Sequence, residues 1–289
     1  MTNLKIALCQ MKVVDNKEKN IETAIDMIKK AKKQDADIAI LPEMFNCPYA
    51  NEKFVEYAES KEDSYTLKSI AKIAKEENIY VLAGSIPEVE SNKTNNTLEN
   101  TKNIYNTSFL FDNKGNNIGF HRKMHLFDID VKDKIYFKES DTLTAGNKVT
   151  LIDTNSKIGK IGIAICYDIR FPELSRLMAL EGANILIFPG AFNLTTGPAH
   201  WELLFRTRAL DNQVYTIGVS PALDKEASYN SYGHSIIANP WGEVVAKGSY
   251  GEELIIAEID LEEIATIREE LPILKNRRDD LYSLKYKKS

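Results

Sequence analysis

Short apolar runs alternate with amphipathic stretches along this chain, and the alternation predicts an α/β fold. Runs rich in Val, Ile, Leu and Ala predict strands at residues 5–10, 38–42, 80–86, 105–111, 118–121, 160–166, 185–188, 214–220, 234–239 and 254–259. Most of these runs are continuously apolar, which is typical of a sheet that is covered on at least one face. Apolar residues at helical spacing predict helices at residues 16–34, 64–77, 172–181 and 198–212.

Turn signals lie between the predicted elements. Polar segments at 112–115 and 239–242 each contain a glycine and predict hairpin turns. The polar, Asn-rich stretch 90–101 predicts a surface loop or a long hairpin tip. Without a linker or a composition break, the pattern predicts one layered domain over residues 4–260. A charged tail follows at residues 261–289.

Composition narrows the function classes. The chain has 289 residues, of which 43% are hydrophobic and 27% are charged, and its net charge is −5. This balance provides no basic surface for nucleic acid or anionic lipid, and no run has the length of a membrane span. The three cysteines are too few for a disulfide framework, and the start of the chain does not resemble a signal peptide. We therefore expect a cytoplasmic protein without nucleic-acid or membrane partners.

Three of the apolar runs each end in a side chain capable of covalent or acid–base chemistry. Glu43 follows residues 36–42, Lys123 follows residues 117–122, and Cys166 ends the run that begins at residue 160. Strand ends converge in open α/β sheets, so these strands could deliver all of these groups into one crevice.

Cys166 is the candidate nucleophile. A lone cysteine is more often a small buried hydrophobe. Here a polar segment follows it and a helix is predicted to begin near Pro172, so backbone N–H groups would stabilise a thiolate and an oxyanion. Cys9 lies within a predicted strand and is interpreted as core, and Cys47 lies in a predicted loop.

Glu43 and Lys123 each have a structural alternative. Glu43 could simply be a solvent-exposed residue at the end of a strand. Its apolar neighbours would instead remove it from water and raise its pKa toward that of a general base. Lys123 could belong to a basic surface turn. The spacing of His121 and His125 could suggest a metal pair on a helix, but the sequence offers no further ligand, and we expect no metal.

Taken together, these segments resemble the nitrilase superfamily of carbon–nitrogen hydrolases, over about residues 5–259. The segments that carry the resemblance are 41–43, 122–127 and 162–173. Residues 127–130, 190–202 and 211–215 are most similar to the omega-amidase branch of that family. One departure is Cys47, where that branch commonly has a small residue.

The resemblance implies an α–β–β–α sandwich that forms a homodimer or a higher oligomer, with the tail packing on the domain or on a partner subunit. It also implies hydrolysis of a linear amide without a cofactor. Cys166 would attack the carbonyl, Glu43 would act as general base, and Lys123 with the Tyr167 N–H would bind the oxyanion. Glu139 matches the second glutamate of the family and would keep Lys123 charged.

Substrate recognition is less constrained. The omega-amidase branch acts on monoamides of short dicarboxylates, such as 2-oxoglutaramate and 2-oxosuccinamate. Arg170, Tyr49 and Thr195 are candidates for binding the remote carboxylate, with Phe192 as an apolar wall. Arg170 could instead pair with Glu173 in a structural role.

Three alternatives to an omega-amidase remain from the sequence. One is another enzyme of the superfamily, such as an aliphatic amidase, an N-carbamoyl hydrolase or a nitrilase. Another is a cysteine–histidine hydrolase that uses one of the four histidines. The last is a non-catalytic binding protein on the same scaffold, which the retention of nucleophile, acid and base argues against.

Overall fold

The computed structural model describes residues 3–91, 102–132 and 135–287. It has two six-stranded sheets that face each other. The first sheet contains β1 (Asn3–Gln10), β2 (Ile38–Ile40), β3 (Tyr80–Ser91), β4 (Lys102–Phe111), β5 (Asn117–Arg122) and β14 (Glu253–Asp260). The second contains β8 (Thr150–Asp153), β9 (Lys160–Ile163), β10 (Ile185–Pro189), β11 (Tyr215–Val219), β12 (Ile236–Ala238) and β13 (Val244–Lys247). A separate hairpin joins β6 (Asp128–Val131) to β7 (Ile135–Lys138).

Helices lie around the two sheets. They are α1 (Lys17–Lys33), α2 (Asn51–Tyr57), α3 (Tyr65–Glu76), α4 (Pro172–Leu180), α5 (Gly197–Asn212) and α6 (Glu263–Glu270). Two of the starts have side-chain caps, because Asn16 accepts from the Lys19 N–H and Ser64 accepts from the Leu67 N–H. Within the described residues, every helix is too short or too polar to cross a bilayer.

Apolar side chains fill three layers. Ile6, Ile40, Ile163 and Ile187 belong to the layer between the two sheets. The layer between the first sheet and α1 and α3 includes Ala24, Ile28, Ile70, Ile73 and Phe109. The layer between the second sheet and α4 and α5 includes Met178, Phe188, Trp201 and Phe205. The expected α–β–β–α sandwich is therefore confirmed.

Strand order explains why the chemistry-bearing residues meet. The first sheet runs in the order β14-β1-β2-β3-β4-β5, and the second in the order β13-β12-β11-β10-β9-β8. Strands β1, β2 and β3 are parallel, as are β9, β10 and β11, so their carboxyl ends lie at common edges. Glu43, Cys166 and Ala191 follow shortly after β2, β9 and β10.

Close packing at the β2 end depends on a glycine. Gly84 interrupts the pairing of β3 with β4 and has a φ of +25°. A Cβ at this position would lie 1.9 Å from the Pro42 carbonyl oxygen. Only glycine permits this approach, which brings β3 against the segment that carries Glu43.

The sequence pattern located most elements and missed the short, polar ones. All of the strands and helices it predicted are present, and the turns at 112–115 and 239–242 connect antiparallel strands. The apolar run at 160–166 leaves the sheet after Ile163, and a 3₁₀ helix spans Cys166–Arg170. The elements not predicted are α2, β6, β7, β8, β13, α6 and a 3₁₀ helix at Glu139–Asp141. Most of the predicted loop at 90–101 lies outside the described residues.

Part of the predicted tail packs on the sheets of its own chain. Ile264 and Ile267 of α6 are buried, and Ile264 belongs to the layer between the sheets. Farther along, the Tyr286 hydroxyl donates to the Asn147 carbonyl at 3.1 Å. A domain boundary at residue 260 and contact of the tail with a partner subunit stay predictions.

Candidate active site

Glu43 lies at the centre of a buried polar cluster. Its side chain is fully buried, and its Oε1 accepts from the Lys123 Nζ at 3.0 Å and from the Asn106 Nδ2 at 2.8 Å. Its Oε2 accepts from the Ala191 N–H at 2.7 Å. The Cys166 thiol is a neighbour of this carboxylate, and each of the two groups shifts the pKa of the other. The structure therefore brings together the three residues that the sequence predicted at strand ends.

Lys123 bridges two carboxylates. Its Nζ donates to Glu139 at 2.8 Å as well as to Glu43, and all three side chains are fully buried. The Tyr49 hydroxyl contacts the same Glu139 oxygen at 2.5 Å, and the Phe127 N–H donates to the other Glu139 oxygen at 2.6 Å. Glu139 is thus held in place from both sides, as a partner of Lys123 must be.

Cys166 begins the 3₁₀ helix in a constrained conformation. Its φ is +47°, a value that non-glycine residues adopt only where the surrounding structure enforces it. The residue is 4% exposed and is among those that line a narrow cleft. A nucleophile on such a sharp turn projects out of the strand toward a substrate.

Burial and charge determine the protonation states of the cluster. Desolvation raises the pKa of the Cys166 thiol, and the nearby Glu43 carboxylate raises it further. The sequence had suggested a stabilised thiolate, but the structure indicates a neutral thiol that needs a base. Burial also raises the pKa of Glu43. Desolvation alone would lower the pKa of Lys123, but Glu139 and Glu43 hold it well above its usual value.

Several residues predicted to bind substrate line the cleft above the thiol. The lining residues are Phe127, Cys166, Tyr167, Arg170, Ala191, Phe192, Thr196 and Tyr229. Thr196, rather than the predicted Thr195, is among them, and Thr195 is exposed. Tyr49 is not among the residues that line this cleft, and its hydroxyl contacts Glu139, Glu43 and Lys123.

Arg170 is the cation of this cleft. Its guanidinium lies 4.8 Å from the Phe192 ring centre and contacts His200 Nδ1 at 3.2 Å. Within the described residues no carboxylate lies within 4.0 Å of it, so the alternative pairing with Glu173 is not observed. Its Nε is buried and has no hydrogen-bond partner there.

Asp168 was not singled out from the sequence. This fully buried carboxylate accepts from the Ile165 N–H at 2.9 Å and from the His125 N–H at 2.9 Å. Its two oxygens also contact His121 Nε2 at 3.1 Å and His125 Nδ1 at 2.7 Å. The two histidines lie in β5 and in the turn after it, not on a helix, and Asp168 is their common partner.

The other unanticipated groups support the cluster from outside. Asn106 and the Ala191 N–H orient Glu43, and the Tyr229 hydroxyl donates to the Ala191 carbonyl at 2.6 Å. A backbone N–H donor cannot be recognised from the sequence, because almost every residue type has one. Asn106 lies within a predicted strand, where an alternating pattern gives no indication of its partner.

Histidine chemistry at the thiol is not favoured by the geometry. His121 and His125 contact Asp168, His200 contacts Arg170, and His234 contacts the Tyr232 carbonyl. Among its titratable neighbours, Glu43 has the largest effect on the pKa of the thiol and raises it. A carboxylate is therefore the base within reach of Cys166.

Comparison with known proteins agrees with this geometry. The family model for carbon–nitrogen hydrolases matches residues 5–269. The chain belongs to the carbon–nitrogen hydrolase family. It is 47% identical to a Bos taurus protein named omega-amidase NIT2 and 48% identical to one of the same name from Xenopus tropicalis. Each alignment covers the whole of both proteins.

A solved structure places this carbon–nitrogen hydrolase in the nitrilase superfamily. The crystal structure of Saccharomyces cerevisiae Nit3, a member of branch 10 of that superfamily, matches with a TM-score of 0.85 at 42% identity. The match covers 96% of this chain and 97% of the yeast chain. The family assignment made from the sequence segments is thereby confirmed.

The buried charge triplet makes a stability prediction. Lys123→Met should lower the free energy of unfolding by about 3–5 kcal/mol, because it leaves Glu43 and Glu139 buried without their cation. Urea denaturation at neutral pH measures the loss. Lys157→Met is the matched control, because Lys157 forms a half-exposed ion pair with Asp37 and its removal should change stability by less than about 1 kcal/mol.

The same variant should show a distinctive pH dependence. Burial raises the pKa of Glu43, so the folded state takes up a proton before the unfolded chain does, and stability rises as pH falls through that pKa. Lys123 opposes this uptake in the wild type. Lys123→Met should therefore regain stability between neutral pH and about pH 5. Parallel stability curves for the variant and the wild type would contradict the assignment.

Proposed function

We propose that this carbon–nitrogen hydrolase is an omega-amidase. It would convert monoamides of short dicarboxylates, such as 2-oxoglutaramate and 2-oxosuccinamate, to the dicarboxylate and ammonia. The observation that carries the proposal is a buried thiol beside the Glu43–Lys123 ion pair, in a cleft that also contains Arg170. The full-length relatives named omega-amidase support the same substrate class.

In the acylation half-reaction, Glu43 accepts the Cys166 proton as the sulfur bonds to the amide carbon. The carbonyl oxygen becomes an oxyanion, which the Lys123 ammonium and the Tyr167 N–H stabilise. Loss of one such donor commonly costs about 2.7–4 kcal/mol of transition-state stabilisation. Glu43 then returns the proton to the nitrogen, the carbon–nitrogen bond breaks, and ammonia leaves a thioester on Cys166.

Hydrolysis of the thioester uses the same groups in the reverse order. Glu43 removes a proton from a water molecule, whose oxygen attacks the thioester carbon. The carbon–sulfur bond then breaks, the carboxylic acid product departs, and Cys166 regains its proton. Glu139 supports both half-reactions because its carboxylate, 2.8 Å from the Lys123 Nζ, keeps that lysine protonated. A buried lysine without such a partner would tend to lose its proton.

The acid–base assignment predicts different outcomes for two substitutions. Cys166→Ala should abolish both turnover and the acyl adduct that intact-mass spectrometry detects on wild-type protein given substrate. Glu43→Gln should lower kcat by at least about 10²-fold, because the amide cannot accept the thiol proton. Both are measured as ammonia release, with Asp35→Asn on the surface as the control. Full activity of Glu43→Gln would refute the mechanism.

The cleft favours a short substrate with an anionic end. Its volume is about 10 Å³, far below the roughly 300–1,000 Å³ of drug-sized pockets, so its walls would have to move apart to admit even a short substrate. Arg170 has an unpaired buried Nε, and a planar guanidinium can bind a carboxylate through two parallel hydrogen bonds. The rest of the lining includes the aromatic rings of Phe127, Phe192 and Tyr229.

Carboxylate binding by Arg170 can be tested with paired substrates. Arg170→Gln should raise KM for 2-oxoglutaramate by about 10–100-fold, since a charged hydrogen-bonded pair is lost. An uncharged amide of similar length should be affected less than threefold. Arg176→Gln on α4 is the control, because Arg176 is also half-buried but does not line the cleft. Equal losses for both substrates would assign Arg170 a structural role.

A substrate panel separates this proposal from other activities of the superfamily. Ammonia release is measured from 2-oxoglutaramate, glutamine, asparagine, a carbamoyl amino acid, an aliphatic amide and a nitrile. The omega-amidase proposal expects the highest kcat/KM for the first of these. Preference for the carbamoyl compound, the aliphatic amide or the nitrile would assign the chain to one of those alternatives instead.

We also propose a homodimer that forms through the helical face of the second sheet. Exposed leucines on α4 and α5 support it, since Leu180, Leu203 and Leu210 are 39%, 63% and 40% exposed. Light scattering should give a mass near twice the 32.7 kDa of one chain. Leu203→Glu should shift it toward the monomer, whereas Val55→Glu on α2 should not. A wild-type mass of one chain would refute the proposal.

A further inference from the structure

Asp168 connects the two segments that carry the nucleophile and the cation. It lies two residues after Cys166, and it accepts from the Ile165 N–H directly before that cysteine. Its other partners, His121 and His125, lie two residues before and two residues after Lys123. One carboxylate therefore spans both segments at positions that flank their reacting groups.

We propose that Asp168 is a positioning residue that sets the placement of the Cys166 sulfur relative to Lys123 and Glu43, acting through His121 and His125. This inference rests on the proposed thioester mechanism. Asp168 acts only through its hydrogen bonds to the two segments, and it takes no proton from the thiol or the substrate.

Each contact fixes one segment. The bond from the Ile165 N–H, at 2.9 Å, holds the backbone directly before the residue whose φ is +47°. A backbone in this region persists only where its surroundings over-determine it. On the other segment, His125 is fixed twice, by its N–H and by its ring nitrogen, at 2.9 and 2.7 Å. The turn after Lys123 therefore cannot shift without breaking both bonds.

The histidines are themselves anchored. His121 contacts the Thr150 hydroxyl through Nδ1 at 3.0 Å, which ties it to β8 in the second sheet. The His125 ring stacks on Phe171 at a centroid distance of 3.6 Å. Asp168 thus joins β5 of the first sheet to the β8 and β9 side of the second. A relative shift of the two sheets would move Lys123 away from Cys166.

The carboxylate is suited to this position because it stays ionised. Burial alone would raise the pKa of Asp168, but hydrogen bonds from His121 and His125 hold it well below its usual range. As an anion it can accept all of its hydrogen bonds at once, whereas an amide in its place offers a single acceptor oxygen. Asp168→Asn therefore preserves the shape of the side chain but removes one of its two acceptor oxygens, and with it the hydrogen bonds that this oxygen accepts.

The decisive experiment compares Asp168→Asn with wild-type protein in substrate turnover and in chemical reactivity of the thiol. We expect kcat for 2-oxoglutaramate to fall by about 10²-fold, because a displacement of about 1 Å at a reacting group has effects of that size. KM should change less than threefold, since Arg170 is untouched. The rate of Cys166 alkylation by iodoacetamide should fall by at least about tenfold, and that reading needs no substrate.

Control variants separate positioning from general destabilisation. Glu59→Gln removes a mostly buried carboxylate that pairs with Lys17 at 2.9 Å, and it should lower stability while keeping kcat and the alkylation rate. His125→Gln keeps Asp168, removes one ring contact, and should lower kcat by a smaller factor. In the double variant Asp168→Asn/His125→Gln, the loss of kcat should be smaller than the two single losses combined. Both substitutions disrupt the same Asp168–His125 contact.

The outcomes are distinguishable. A folded Asp168→Asn protein with wild-type kcat and wild-type alkylation rate overturns the inference. If that variant does not fold, His125→Gln decides, and unchanged kcat and alkylation rate in it also overturn the inference. If wild-type protein turns over no dicarboxylate amide, the proposed function fails, while the alkylation rates still test whether Asp168 positions Cys166.

Discussion

The site depends on one buried cation between two carboxylates. The Lys123 ammonium lies 3.0 Å from Glu43 and 2.8 Å from Glu139, and none of the three side chains is exposed. Burying either carboxylate alone would favour its protonated form, which could not act as a base. Lys123 therefore makes it possible for Glu43 to be ionised in a dry site, and Glu139 provides the second negative charge that keeps Lys123 protonated.

Burying three charged groups costs free energy, because each loses its hydration. This loss is offset only when well-placed partners hold the groups in a fixed geometry. The fold supplies these partners from backbone and neutral groups. Ala191 and Asn106 orient Glu43, while Phe127 and Tyr49 orient Glu139. Asn106 lies in β4, and the other partners lie in segments between the regular elements. The sandwich must therefore be assembled before the site exists, which couples stability to chemistry.

Sequence reasoning found the residues with distinctive side-chain chemistry and missed those that act through geometry. Glu43, Lys123 and Cys166 could be found because each follows an apolar run, a pattern that the fold requires. Asp168 could not be assigned, because its histidine partners lie 47 and 43 positions away in the chain. The direction of the thiol pKa shift could not be predicted either. Burial and the nearby Glu43 raise the pKa of Cys166, and they outweigh its position at the start of a helical segment, which would favour a thiolate. The sequence likewise could not distinguish Thr195 from Thr196 as the residue that lines the cleft. That choice depends on the backbone conformation of the loop.

Charge along the cleft explains how one substrate orientation would be selected. The inner cluster contains two carboxylates and one ammonium beside a thiol that stays neutral at rest, so its inner end carries an excess of negative charge. A carboxylate group placed there would be repelled, whereas a neutral amide would not. The Arg170 guanidinium lies over Phe192 in the same cleft and has an unused donor. On the proposed function, the anionic end of a substrate would therefore lie at Arg170 and the amide carbon at Cys166. The charge distribution that makes Glu43 a usable base would thus also disfavour the reversed, unproductive orientation.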